Sequence, residues 1–186
     1  MTGQDGRSIS LDQLLHFRAD ALSGTADAWR AVADSVARHS AALRDDVRAN
    51  LGPAVWDGGG GEAARGHLDR LLEAASEHEE RLRAVSDTLR NAHGGFSTAQ
   101  SVLNQAVNLA RETGLEVGAD GSVSWNLRRT VDLVTDPAAA VTLTRTAEEI
   151  AGLIGQALDH ASTVDNHTAA TLAALSPRGR PGPPRR

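Results

Sequence analysis

Apolar residues recur at three- and four-residue steps along most of this chain, the period of amphipathic helices rather than of strands. The first such stretch is short: Ser10 with Gln13 reads as a capping box opening a helix that carries Leu11, Leu14, Leu15 and Phe17. Ser23-Gly24-Thr25 offers a kink or a fresh N-cap. From about residue 26 a long helix follows, with Trp29, Val32, Val36, Leu43, Val47 and Leu51 on one face and Ser40 filling a gap. A second long helix begins at Glu62. Its stripe runs through Leu68, Leu71, Ala75, His78, Leu82, Val85 and Leu89, then Ala92, Phe96, Ala99, Leu103, Ala106 and Ala110. The phase survives Gly94-Gly95, where each glycine costs about 1 kcal/mol of helix propensity. One helix through residue 113, bent at the glycines, is therefore expected.

Between the two long helices lies Leu51-Gly52-Pro53-Ala54-Val55-Trp56-Asp57-Gly58, followed by three more glycines. Pro53 disfavours the helical region for Gly52, so the incoming helix should stop near Leu51. The glycines tolerate positive φ and let the chain reverse in a small space. Trp56 is placed to cover the end of a helical hairpin with its indole against apolar side chains.

After Gly114, a plausible helix-closing residue, the period falls to two around Asp120-Gly121, a β-hairpin signal over 115–125. Residues 126–135 fit a loop or a short helix. Asp136 as N-cap and Pro137 as first residue then open a last helix. Its stripe runs through Leu143, Ala147, Ile150, Ile154, Ala157 and Ala161, and on through Val164, Thr168, Leu172 and Leu175. The expected fold class is all-α: an elongated antiparallel helical bundle built on a helical hairpin, with one small β-hairpin near 115–125. Residues 1–9 read as a disordered N-terminus and 10–175 as a single helical domain, comprising a hairpin over 20–93 and an extension over 94–175. Residues 176–186 form a Pro/Arg-rich tail or linker.

Composition narrows the function. Of 186 residues, 40% are hydrophobic but only 3% aromatic, which favours closely packed helices over a thick globular centre. Cys is absent, which removes disulfides, thiolate nucleophiles and Cys-based metal sites. The net charge of −5 with mixed signs gives no footprint for nucleic acid, and only the tail over 178–186 is basic. No apolar run is long enough for a transmembrane helix, and no Sec-type signal peptide is visible.

Candidate chemistry is sparse. Of seven histidines, none forms an HExxH motif. His160 and His167, two turns apart on the last helix near Asp159 and Asp165, are the candidates for a metal or catalytic cluster, and a second helix would have to complete the set. His78 falls in the apolar stripe, as an interhelical histidine would. Glycines 58–61 before a helix resemble an anion-binding loop, but no Lys-Ser/Thr follows them. The acidic run over 73–80 reads as a solvated helix face. No cofactor, metal or catalytic residue is assigned, and the chain is expected to be non-enzymatic.

A long helix, a Trp56-Asp57-Gly58 turn and a second long helix resemble the WXG100 (ESAT-6-like) family, the helical-hairpin substrates of type VII secretion. The extension, with its hairpin and final Ala-rich helix, looks like the enlarged WXG100-like domains at the N-terminus of actinobacterial secreted effectors. The resemblance implies that Trp56 and Gly58 are the signature pair. It also implies association through helix faces, as a homodimer or with a WXG100-like partner, and contact with the secretion machinery. Residues expected to serve hairpin packing or interaction are Trp29, Val36, Leu43 and Val47 on the first helix. On the second they are Leu68, Leu71, Leu82, Val85 and Leu89. Export would follow a signal-peptide-independent route, from the cytoplasm to the cell surface or medium. The family's secretion signal is Tyr-x-x-x-Asp/Glu after the second helix; here Tyr is absent, and Phe96 to Gln100 offers an aromatic but no acid. That departure keeps open a second reading, a cytoplasmic adaptor or immunity-like protein that binds a toxin.

Overall fold

A computed structural model describes residues 9–50, 57–125 and 137–176. Trp56, the segment 126–135, the Asp136 cap and most of both termini lie outside the described residues. The structure is helical, with helices packed antiparallel and one small hairpin. Its elements are α1 (Leu11–His16), α2 (Ala19–Asn50), α3 (Gly59–Thr113), β1 (Leu115–Val117), β2 (Val123–Trp125) and α4 (Pro137–Leu175). Two compact units result: Met1–Asp20 with Asn91–Ala170, and Ala21–Arg90 with Thr171–Arg186.

In the first unit the capping box forms as expected. Gln13 N–H donates to Ser10 Oγ at 3.2 Å, and Ser10 N–H donates to Gln13 Oε1 at 2.9 Å. Leu11 and Leu14 are thereby buried, and the Phe17 ring lies 4.4 Å from that of Phe96. Ile9 N–H donates to Ser162 Oγ at 3.0 Å, which ties the residue before the cap to α4. The core is a seam of Ala92, Phe96, Ala99, Leu103, Ala106 and Ala110 on α3 with Ala147, Ile150, Ile154, Ala157 and Ala161 on α4. Gly114 (φ 72°) closes α3, and β1 pairs antiparallel with β2 in the register Leu115↔Trp125, Val117↔Val123. Gly121 (φ 83°) turns the hairpin, where a side chain would meet Ile154. The Asp120 carboxyl is held below its usual range by hydrogen bonds from the Ser122 side chain and backbone.

The second unit pairs α2 with α3. Asp27 meets Arg90 at 2.9 Å, Arg30 meets Asp87 at 3.6 Å, and Asp34 meets Arg83 at 3.4 Å. As the α2 number rises the α3 number falls, so the pair is antiparallel and its register is fixed. These pairs are roughly half exposed and contribute at most about 1 kcal/mol each, so they select register more than they stabilise.

Helix boundaries differ from expectation in two places. The first long helix starts at Ala19 and runs through Ser23-Gly24-Thr25, and the second starts at Gly59 rather than Glu62. Burial of Ala19 and Ala26 on either side of Gly24 holds the helical path there, so the weak propensity of one glycine is overridden.

Helix α3 also continues through Gly94-Gly95, and the two glycines differ in surroundings. A Cβ on Gly94 would meet nothing within 4 Å, whereas one on Gly95 would lie 2.6 Å from Val164 Cγ2. Val164 is β-branched and has one comfortable helical rotamer, so it cannot swing aside. Gly94→Ala should therefore stabilise by about 1 kcal/mol, a rise in Tm of roughly 2–4 °C. Gly95→Ala should lower Tm, because overpacking of about 1–3 kcal/mol outweighs the same propensity gain. Thermal unfolding of the two single variants checks this; two increases would contradict the close approach of α3 and α4.

Candidate functional site

The α2–α3 seam is not lined by the large apolar residues of the sequence stripe. On α2 the fully buried positions are Ala26 and Ala33, seven residues apart, while Trp29, Val32 and Leu43 are exposed. On α3, Leu82 and Leu89 are buried, but Leu72 replaces Leu71, and Ser86 replaces Val85. Likewise Glu79, with only 18% of its side chain exposed, replaces the exposed His78. Alternate members of the stripe thus lie one residue further along. Hydrophobicity alone could not find Glu79 and Ser86, because their burial rests on partners. Ser86 Oγ donates to Ala26 O at 2.8 Å, and Glu79 pairs with Arg83 at 2.8 Å.

This offset puts Trp29 at 39% exposure and Val85 half-buried on one side of the seam. With Leu82, Leu89 and the α4 residues Leu172 and Leu175 they line a cleft of about 450 Å³. Its polar groups are few. His78 and Arg81 lie towards one end of the α3 wall, and Thr25 and Ser176 complete the lining. Arg81 Nη2 donates to Glu77 Oε2 at 3.3 Å, on a half-exposed side chain.

The remaining residues singled out from sequence are dispersed. Val36, Val47 and Leu68 are half-buried along α2 and α3, and Leu71 is 48% exposed. Gly58 adopts φ 93°, and its N–H donates to Asp57 Oδ1 at 2.7 Å, immediately before α3 begins. His160, His167 and Asp159 are exposed on α4, while Asp165 turns to a hollow shared with His16 and Arg18. Among the described residues no group of three or more His, Asp or Glu comes together to hold a metal ion.

Phe96 and Gln100, both inside α3, are both engaged. Phe96 is buried against Phe17, and Gln100 Nε2 donates to Leu14 O at 2.9 Å and to Phe17 O at 2.7 Å. Leu14 O also accepts from the Phe17 N–H at 3.4 Å, so the amide adds a second donor there and supplies one to the Phe17 carbonyl just past the end of α1. The sequence signal for this role was available only as the unpatterned pairing of a six-residue helix with a distant amide.

Comparison with known proteins finds no family profile that matches, and no solved structure that does. The uncharacterized proteins Rv2077c of Mycobacterium tuberculosis and Mb2102c of Mycobacterium bovis are each 27% identical over 169 residues, 90% of this chain. The chain spans about half the length of these curated relatives, 49% of each. Its similarity is thus a distant one, to actinobacterial proteins. Among the described residues no helix is long and apolar enough to cross a membrane.

Ser86 tests the observed seam. Ser86→Ala removes one buried hydrogen bond but leaves the Ala26 carbonyl to its helical partner, so the expected cost is about 1 kcal/mol. Ser86→Leu should cost about 1–3 kcal/mol by overpacking, whereas Val85→Leu, on the cleft wall, should be tolerated. Urea unfolding of the three variants gives the order; Val85→Leu as the most damaging would place Val85 in the seam.

Proposed function

We propose that this chain is a non-enzymatic helical targeting and interaction module of a type VII secretion substrate. It would act by helix-face association with a second copy or a WXG100-like partner. The observation that carries this reading is the antiparallel α2–α3 pair, held in register by an ion ladder, with the Trp56-Asp57-Gly58 sequence between the two helices. Gly58, with φ 93°, stands where an L side chain would be strained. Trp29, Val32, Leu43 and Leu71 remain exposed on these two helices, apolar area that a docking helix would cover. The mycobacterial relatives extend well beyond the matched segment, which suits a module within longer proteins. On this reading the chain leaves the cytoplasm by the signal-peptide-independent route and reaches the surface or the medium.

One observation favours the alternative of a cytoplasmic adaptor or immunity-like protein. Phe96 and Gln100 are consumed by α1, and neither supplies the Tyr and acid of the export signal. A WXG100-like partner carrying that signal reconciles the two, and export would then require co-expression.

The test is a reporter fused to the full chain, expressed with a WXG100-like partner in an actinobacterial host with or without the type VII ATPase. The reporter is expected in the supernatant only when the ATPase is present. Trp56→Ala and Gly58→Val should reduce it to the ATPase-free level while circular dichroism keeps its helical signature. Retention inside the cell with ATPase and partner both present would overturn the export reading and leave the adaptor.

A further inference from the structure

The cleft of the second unit shares Trp29 with the apolar area offered to a docking helix, but its closed-in apolar walls and its basic end are not required by helix-face association. Its α3 wall runs from His78 to Leu89, about 16 Å at 1.5 Å per residue. An extended hydrocarbon chain can lie along these apolar walls, in carbon–carbon contacts of about 4 Å. The volume also lies within the roughly 300–1,000 Å³ common to small-molecule sites, which pair apolar walls with a few placed polar groups.

Charge sets the direction. The ladder places Asp27 beside Arg90, so Trp29 and Thr25 of α2 stand at the Leu89 end of the cleft. His78 and Arg81 stand at the other end, and no carboxylate lines the cleft among the described residues. Among the described residues Arg81 contacts Glu77 through Nη2, at 3.3 Å and half exposed, which leaves the other donors of its guanidinium fork for a second carboxylate. His78 is exposed beside it and adds a donor. An acyl chain lying along Leu82, Val85 and Leu89, ended by Trp29, would bring its headgroup to this pair.

We propose that the cleft binds a single-chain amphiphile with a carboxylate head, a fatty acid or a fatty-acyl equivalent. The chain occupies the apolar walls between α2, α3 and the end of α4, and the headgroup meets Arg81 and His78. This assignment stands apart from the export reading, since it concerns a ligand of the folded unit.

Isothermal titration of the full chain with dodecanoate, dodecanol and dodecyltrimethylammonium, each below its micelle concentration, tests it. Dodecanoate should bind saturably at one site. The alcohol should bind about ten- to a hundredfold more weakly, the loss expected of a hydrogen bond to a charged group. The cationic probe should bind no better than the alcohol. Arg81→Gln should bring dodecanoate down to the level of the alcohol and leave the alcohol unchanged. Val85→Trp should abolish both by filling the cleft; Leu175→Trp on the α4 wall serves if the first variant melts early. Equal binding of the three probes, an adventitious hydrophobic association, would overturn the proposal, as would dodecanoate binding that survives both filling variants. Absence of saturable binding would overturn it too. The export assay reads a different quantity in a different setting, so each can fail alone.

Discussion

Close approach of helices through small side chains is the constraint on which this structure depends. Ala26 and Ala33 on α2, Ala92, Ala99, Ala106 and Ala110 on α3, and Ala147, Ala157 and Ala161 on α4 are all buried. At Gly95 the approach to Val164 leaves no room even for a methyl group. An alanine buries one methyl, worth about 0.8 kcal/mol, against roughly 1.5–3 kcal/mol for a leucine. It also loses no side-chain entropy on ordering, and it brings more backbone and stem atoms into dispersion contact. A seam of this kind gains stability by length, which is why it is spread over helices of 32, 55 and 39 residues.

The same constraint decides where the large apolar side chains go. A seam narrow enough for Ala26 and Ala33 has no room for Trp29 or Val32, so these flank it instead of filling it. The polar residues admitted to the seam are those with a partner in reach: Ser86 on the Ala26 carbonyl, Glu79 on Arg83. The Ser86 bond to α2 fixes the rotation of α3 about its own axis, and the ladder of Asp27, Arg30 and Asp34 with Arg90, Asp87 and Arg83 fixes its translation. Displaced apolar groups and a settled rotation together open the cleft walled by Trp29, Val85, Leu172 and Leu175. The candidate ligand site and the apolar area offered to a partner helix are thus products of one packing choice.

In the first unit the geometry bears on the proposed export in a different way. At the end of α1 the Leu14 carbonyl accepts from Phe17 N–H, and the Gln100 amide supplies it with a second donor and also donates to the Phe17 carbonyl. Phe96 covers the adjacent ring of Phe17. A segment that could have served as a recognition motif is instead an internal clasp. That makes a partner-borne signal central to the proposed function.

The sequence by itself determined the helices, because 3-4 spacing is a local property that each residue reports directly. The capping box of Ser10 and Gln13, the stop at Gly114 and the hairpin around Asp120-Gly121 were legible for the same reason: each is chemistry between near neighbours. The continuity of α3 through Gly94-Gly95 was legible too, since the unbroken phase outweighs two poor helix formers. The bond from Ile9 to Ser162, the start of α2 at Ala19 and the displacement of the seam from Leu71, His78 and Val85 to Leu72, Glu79 and Ser86 were decided by tertiary structure. So was the cleft, whose α4 wall comes from residues more than eighty positions beyond its α3 wall. Each depends on a distant partner, and a stripe of apolar residues states that a helix has an inner face without stating which neighbour that face will meet or how closely.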